Sequence, residues 1–273
     1  MSGVAVVTGA ASGIGQATAV ALVGRGQTVL GVDLDSAGLQ QTADQALGLP
    51  GSFVPHGADV SDDEACRAVM VAVSELGRLS TIVNSAGIMP ADDTVEQMRV
   101  DGWDRTFAVN VRPIFLLARH GLPLMRPDGG VIVNVSSVHA FATQPGCMTY
   151  AATKGAIVAL TQQLALELAP DGVRVVAVAP GSVDTPMSAL AVQRSGAASL
   201  TELGFSDSPR AAGRIGSAAE VAEVIVWLST AAAAFVNGTT LRVDGALLSA
   251  IPAPKPPPSA ARQGGGHDED HRY

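Results

Sequence analysis

At 273 residues, 47% of them hydrophobic, the chain carries ample apolar material for a packed core, which excludes disorder for most of its length. A formal net charge of −8, with basic residues scattered rather than striped, argues against broad nucleic-acid binding. The two cysteines, Cys66 and Cys147, exclude a disulfide framework and a cysteine-rich zinc site.

The N-terminal MSGVAVVTGA lacks a secretory leader pattern and enters a strand at once. No apolar run reaches about 18 residues, so no membrane span is expected and a reducing, cytoplasmic setting is the default.

Apolar strand-like runs then alternate with longer helical patterns. VAVVT (4–8) reads as a buried strand, followed by a glycine-rich turn and a helix from 13 to about 25. TVLGVD (28–33) is a second strand, with a helical segment to about 47. SFVPHGADV (52–60) holds a third, and residues 62–76 are helical, with Asp62, Asp63 and Glu64 suiting the positive end of the helix dipole. LSTIVN (79–84) is a fourth strand, and one long amphipathic segment runs from about 101 to 125. GVIVNVSS (130–137) is a fifth, TYAATKG (149–155) opens a helix reaching about 168, and VRVVAVAP (173–180) is a sixth. A helix over 217–229 and a last strand, TTLRV (239–243), complete the pattern.

Such alternation predicts an α/β fold: a Rossmann-like, doubly wound parallel sheet of about seven strands with helices on both faces. One domain is expected over residues 1–250. The tail, 251–273, is rich in proline, glycine and charge and reads as a solvated extension. Docking across a neighbouring subunit is the alternative. His267 and His271, with acids between them, fit a flexible acidic tail better than a metal site, and no metal is expected.

The turn TGAASGIG (8–15) lies between the first strand and the first helix. Gly9 suits a sharp turn, Gly13 a close approach of backbone to a pyrophosphate, and Gly15 tight helix–strand packing. The helix start offers free N–H groups and a partial positive charge to phosphates. Ser12 and Ile14 belong to the same loop and are candidate contacts. Asp33 ends the second strand, placed to accept hydrogen bonds from an adenosine ribose and to repel a 2′-phosphate, with Leu34 beside it. This favours NAD over NADP; the alternative is that Asp33 caps the following turn.

Tyr150 and Lys154 are four residues apart, so on a helix they share a face about one turn apart. Together with the spacing TGxxxGxG, this chain resembles the short-chain dehydrogenase/reductase family from Val4 to about Ala246. The resemblance implies a catalytic set of Asn110, Ser137, Tyr150 and Lys154, with Ser137 thirteen residues before the tyrosine. From the residue alone, a helix-kink hydrogen bond accounts for Asn110 equally well. The resemblance further implies that Asp59 and Val60 hold the adenine. Asn84, Ala86 and Gly87 form its loop after the fourth strand, where Ser85 replaces the usual second asparagine. Pro180, Gly181, Val183 and Thr185 orient the nicotinamide, presenting its pro-S face, and Tyr150 and Lys154 also contact the cofactor.

A tyrosine with a pKa of roughly 10 needs about 4 kcal/mol of phenolate stabilisation to titrate near 7. An ammonium about 4 Å away could supply a few kcal/mol of it at an effective dielectric of about 20. Ser137 would hold the substrate oxygen beside Tyr150.

Ser137, Val138, His139, Met148, Tyr150 and Met187 are the candidate substrate contacts. Ile88, Met89, Phe141 and Cys147 are further pocket candidates, and residues of about 186–213 read as a lid. An outward-facing loop histidine is the plainer reading of His139. These side chains suggest a mainly apolar substrate, with cyclic compounds among the candidates. The expected function is an NAD-dependent oxidoreductase of secondary alcohols and ketones. The alternatives are an NADPH-preferring biosynthetic ketoreductase and a non-catalytic cofactor-binding scaffold. The expected partners are a small-molecule substrate and copies of the same chain, as a homotetramer or homodimer.

Overall fold

The run VAVVT forms β1 (Val4–Thr8), and all five residues are buried. Burial without alternation marks a strand covered on both faces. The structure is a computed structural model and describes residues 3–91, 93–126, 128–196, 198 and 214–249. The tail with His267 and His271, and most of the expected lid beyond 196, lie outside the described residues.

After β1 come α1 (Gly13–Gly24), β2 (Thr28–Asp33), α2 (Ser36–Ala46), β3 (Ser52–Gly57), α3 (Asp63–Leu76) and β4 (Leu79–Asn84). Next are α4 (Val100–Asn110), α5 (Arg112–Met125), β5 (Gly130–Val135), α6 (Met148–Leu168) and β6 (Val173–Pro180). Then come two-residue β7 (Val183–Asp184), α7 (Pro186–Ser195), two-residue β8 (Gly216–Ser217), α8 (Ala218–Leu228) and β9 (Thr240–Val243).

Seven strands form one sheet in the order β3-β2-β1-β4-β5-β6-β9, with every neighbouring pair parallel. The expected single-domain, doubly wound α/β architecture is therefore the observed one. β7 and β8 pair separately. The winding direction reverses between β1 and β4, and a crevice opens at such a point beyond the strand ends.

The period of two along each strand divides the core. Val4 and Val6 pack with Val69 of α3, Leu117 of α5 and Ile157 of α6. Ala5 and Val7 pack with Leu22 of α1, Leu39 of α2 and Ile225 of α8. Each fully buried aliphatic side chain contributes about 1.5–3 kcal/mol. A polar chain crosses between layers: buried Asn84 Nδ2 donates to Asn134 Oδ1 at 2.8 Å, and Asn134 Nδ2 donates to Thr161 Oγ1 at 2.9 Å. It ties β4 and β5 to α6.

Two local expectations are corrected. The segment 101–125 is two helices, broken at Val111. Pro113 sits in the first turn of α5, where its missing N–H costs nothing. The Asn110 side chain is bound to the 88 peptide instead, accepting from Ile88 N at 2.8 Å and donating to Ile88 O at 3.0 Å. The fifth strand ends at Val135, two residues early; Ser136 N still donates to Val178 O at 2.8 Å, and its Oγ donates to Lys154 O at 2.9 Å.

Candidate active site

A cavity of about 400 Å³ opens at the carboxyl ends of the strands. One end is the loop between β1 and α1, with Gly9, Ser12, Gly13, Ile14 and Gly15 in its wall. Gly9 has φ 70°, in the left-handed region, so glycine suits it. A Cβ on Gly15 would sit 2.1 Å from Gly9 O, so the helix can approach the loop only without one. Ser12 begins α1 without a side-chain cap, leaving the first N–H groups of the helix open to an anion.

Asp33 and Leu34 line the same end. Asp33 accepts from Ala11 N at 3.1 Å and from Asp35 N at 3.0 Å. The carboxylate thus both caps the turn and faces the cavity. Asp59 and Val60 also line it. Asp59 is held below the usual carboxylate range, first by the Ser61 hydroxyl, with Arg105 adding to the effect.

Ala86 and Gly87 lie in the wall, whereas Asn84 does not, because its amide serves the buried chain to Asn134. Thr8 Oγ1 accepts from the backbone N–H of Ser85 and Ala86, each at 3.1 Å. The loop is therefore held through its main chain, and the Ser85 side chain leaves that grip intact. Pro180, Gly181, Val183 and Thr185 complete the floor. Between them Ser182 Oγ is buried with no hydrogen-bond partner among the described residues. An open helix start, a bare glycine cradle and an orphan hydroxyl together fit a dinucleotide.

Ser137, Tyr150 and Lys154 meet at the other end, all buried and all in the wall. Lys154 Nζ donates to Val135 O at 2.9 Å and lies 5.3 Å from the centre of the Tyr150 ring. Burial pushes Tyr150 up to about 12, outweighing a hydrogen bond with Ser137. Burial also pulls Lys154 down to about 8. The expected lowering of the phenol by the ammonium is thus not what the chain alone produces. Desolvation acts on both groups and dominates. Asn110 stands behind this cluster: a Cβ on Gly87 would be 3.4 Å from Asn110 Oδ1 and 3.8 Å from Lys154 Nζ. It also donates to Thr153 Oγ1 at 3.1 Å and does not reach the cavity wall.

On the substrate side, His139 and Met187 line the cavity, as do Ile88 and Met89. His139 faces inwards, against the plainer sequence reading. Its ring meets Tyr150 edge-on at 5.6 Å, Nδ1 bonds Thr143 Oγ1 at 2.9 Å, and burial lowers its pKa. Val138 is buried behind the wall, and Met148, Cys147 and Phe141 do not line it. Burial raises the Cys147 thiol, which leaves it a poor nucleophile.

The family model described as "Enoyl-(Acyl carrier protein) reductase" matches residues 9–247. The 3-oxoacyl-[acyl-carrier-protein] reductase of Thermotoga maritima is 35% identical over 247 residues, 90% of this chain and 97% of that protein. The chain belongs to the short-chain dehydrogenase/reductase family. The cyclohexanol dehydrogenase of Acinetobacter sp. is 33% identical over 248 residues, covering 90% of this chain and 95% of its own. A crystal structure of the Brucella melitensis 3-ketoacyl-(acyl-carrier-protein) reductase complexed with NADH superposes with a TM-score of 0.79 at 32% identity, covering 89% of this chain and 97% of that one. As a short-chain dehydrogenase/reductase, this protein is an oxidoreductase acting on alcohol or ketone substrates.

Two residues of this short-chain dehydrogenase/reductase escaped sequence reading. Arg105 of α4 lines the cavity and donates to Ser61 Oγ at 2.9 Å and to Asp59 Oδ2 at 3.4 Å. Asp93, only 1% exposed, receives three backbone N–H groups of α6. Both act across more than 40 residues of sequence, where no local pattern marks them.

Proposed function

We propose that the protein uses NAD(H) to interconvert a secondary alcohol and its ketone, with an apolar, cyclic compound as the substrate. The observation that carries this is the buried meeting of Ser137, Tyr150 and Lys154 at one end of a cavity whose other end presents Asp33. Bound cofactor supplies or accepts the hydride and, when oxidised, brings a positive charge into the cavity.

Ser137 Oγ donates a hydrogen bond to the substrate oxygen. Tyr150 gives that oxygen a proton in reduction and takes one in oxidation. Its raised pKa keeps it in the acid form at neutral pH, ready for reduction. Oxidation requires the phenolate, which the ammonium and the cofactor's charge both favour. Asn110 and the Ile88 peptide support the Lys154 side of the cluster.

At the cofactor end, Asp33 is pinned by two main-chain donors and cannot swing away from a 2′-phosphate. NADH in the Brucella melitensis relative supports NAD. The loop containing Asp59 and Val60 holds the adenine, and Pro180 to Thr185 hold the nicotinamide. The walls near Ser137 are Ile88, Met89 and Met187, with neutral His139 as the polar contact. The cyclohexanol-oxidising relative agrees with that chemistry.

Of the expected lid over 186–213, the described part is α7, which lines the cavity with Pro186, Met187, Ser188 and Ala191 and serves as a cover for it. Phe115, Leu166 and Trp227 are exposed on α5, α6 and α8, which supports assembly into a tetramer or dimer. The proposed setting is the cytoplasm.

The test is NADH absorbance with a panel of cyclic alcohols and ketones, repeated with NADPH. NADH is expected to give the higher kcat/KM, and a strong NADPH preference overturns the reading of Asp33. Tyr150→Phe is expected to lower turnover by about 10³-fold while leaving NADH binding intact; persistent turnover removes Tyr150 from its role.

A further inference from the structure

The first N–H groups of any helix lack partners within it. In α6 the residue before the helix, Cys147, supplies no side-chain cap. Asp93 supplies one from 54 residues upstream. Its carbonyl accepts from Met148 N at 3.2 Å, Oδ1 from Thr149 N at 2.7 Å, and Oδ2 from Tyr150 N at 3.0 Å. Both carboxylate oxygens are thus spent on consecutive amides, the second belonging to the reacting tyrosine itself. A carboxylate there also meets the positive end of the helix dipole.

We propose that Asp93 is a positioning residue for Tyr150, fixing the start of α6 so that the phenol stands beside Ser137. The proposal rests on the acid–base role given to Tyr150 above. Tyr150 is the third residue of its helix, within the turn where helices fray. Lys154 lies one turn deeper and is held by its own bond to Val135 O. The tyrosine therefore depends on the cap more than the lysine does. Asp93 does not line the cavity, so it acts through Tyr150 rather than on substrate. The segment that carries it also walls the cavity with Ile88 and Met89, and Asn110 anchors that segment at its other end.

The experiment compares Asp93→Asn and Asp93→Ala in a chain carrying Tyr273→Phe, which leaves Tyr150 as the only tyrosine of the two. Turnover is measured per NADH-binding site, so that misfolded protein is not counted. Displacing the phenol by about 1 Å is expected to lower kcat by about 100-fold in the alanine variant, with the dissociation constant for NADH unchanged. Asparagine keeps one acceptor oxygen, so a loss of about tenfold is expected there. It decides the question if the alanine variant fails to fold.

Ultraviolet titration of Tyr150 gives a readout that needs no substrate. A loosened helix start admits water, and the ionisation midpoint is expected to fall from about 12 towards the ordinary 10. A purely stabilising cap would leave both kcat per site and the midpoint unchanged, and either result overturns the proposal. If Tyr150→Phe in the same chain keeps full turnover, the acid–base reading fails instead. The titration alone then decides whether Asp93 positions Tyr150.

Discussion

Lys154 shows how burial and charge contend at a single residue. Its pKa falls from the usual 10.5 to about 8 because the folded protein desolvates the ammonium. Between those values the unfolded chain holds a proton that the folded chain has released. Stability contributed here is therefore present above pH 10.5 and lost as pH falls through 8. The melting temperature of the cofactor-free wild type, relative to that of Lys154→Met, is expected to rise from pH 8 to pH 10. A flat difference in calorimetry across that interval contradicts the buried ammonium. Tyr150 adds the opposite slope only above pH 10, where the unfolded chain ionises first, and it is common to both proteins. At this scale the sequence was informative about identity and misleading about energetics. YxxxK spacing marks a phenol beside an ammonium, but no spacing states how much water surrounds them, and water sets the sign of both shifts.

Between β1 and α1, an element-level contact decides whether a cofactor can be seated. A methyl group on Gly15 would overlap Gly9 O at 2.1 Å, and backbone cannot yield as a flexible side chain can. Gly15→Ala is expected to push α1 off the loop, weaken NADH binding by at least about tenfold and destabilise the fold by about 1–3 kcal/mol. Fluorescence titration and thermal melts check both numbers. This loop was readable in advance because its glycines, strand and helix are contiguous. The break between α4 and α5 was not. Residues 101–125 keep a helical apolar pattern across Val111; Pro113 lacks the N–H that would continue the ladder to Val109 O, and Asn110 just before the break is held by a peptide 22 residues earlier. Asp93 is hidden for the same reason, since it caps a helix that starts 55 residues later.

For the whole molecule, the doubly wound order was legible because each strand run is short, apolar and separated by a helix-length segment. Less legible was what fastens sheet to helix away from apolar packing. Asn134, fully buried, takes a hydrogen bond from Asn84 and gives one to Thr161. Asn134→Ala strands a buried amide donor and is expected to cost about 1–3 kcal/mol. In a chain of this size that lowers the melting temperature by about 2–4 °C for each kcal/mol, with NADH affinity preserved. An unchanged melting temperature would assign the link no weight.

The remote cap on α6 bears on how such proteins are recombined. Exchanging the segment after β4 with that of a relative is an obvious way to alter which compounds are accepted, because Ile88 and Met89 line the cavity. A chimaera joined beyond position 93 replaces Asp93 with the relative's own residue and loses the cap wherever that residue is not a carboxylate, whereas one joined between Met89 and Asp93 retains it. Loss of rate in the first kind of hybrid would then reflect a misplaced helix rather than an ill-fitting pocket.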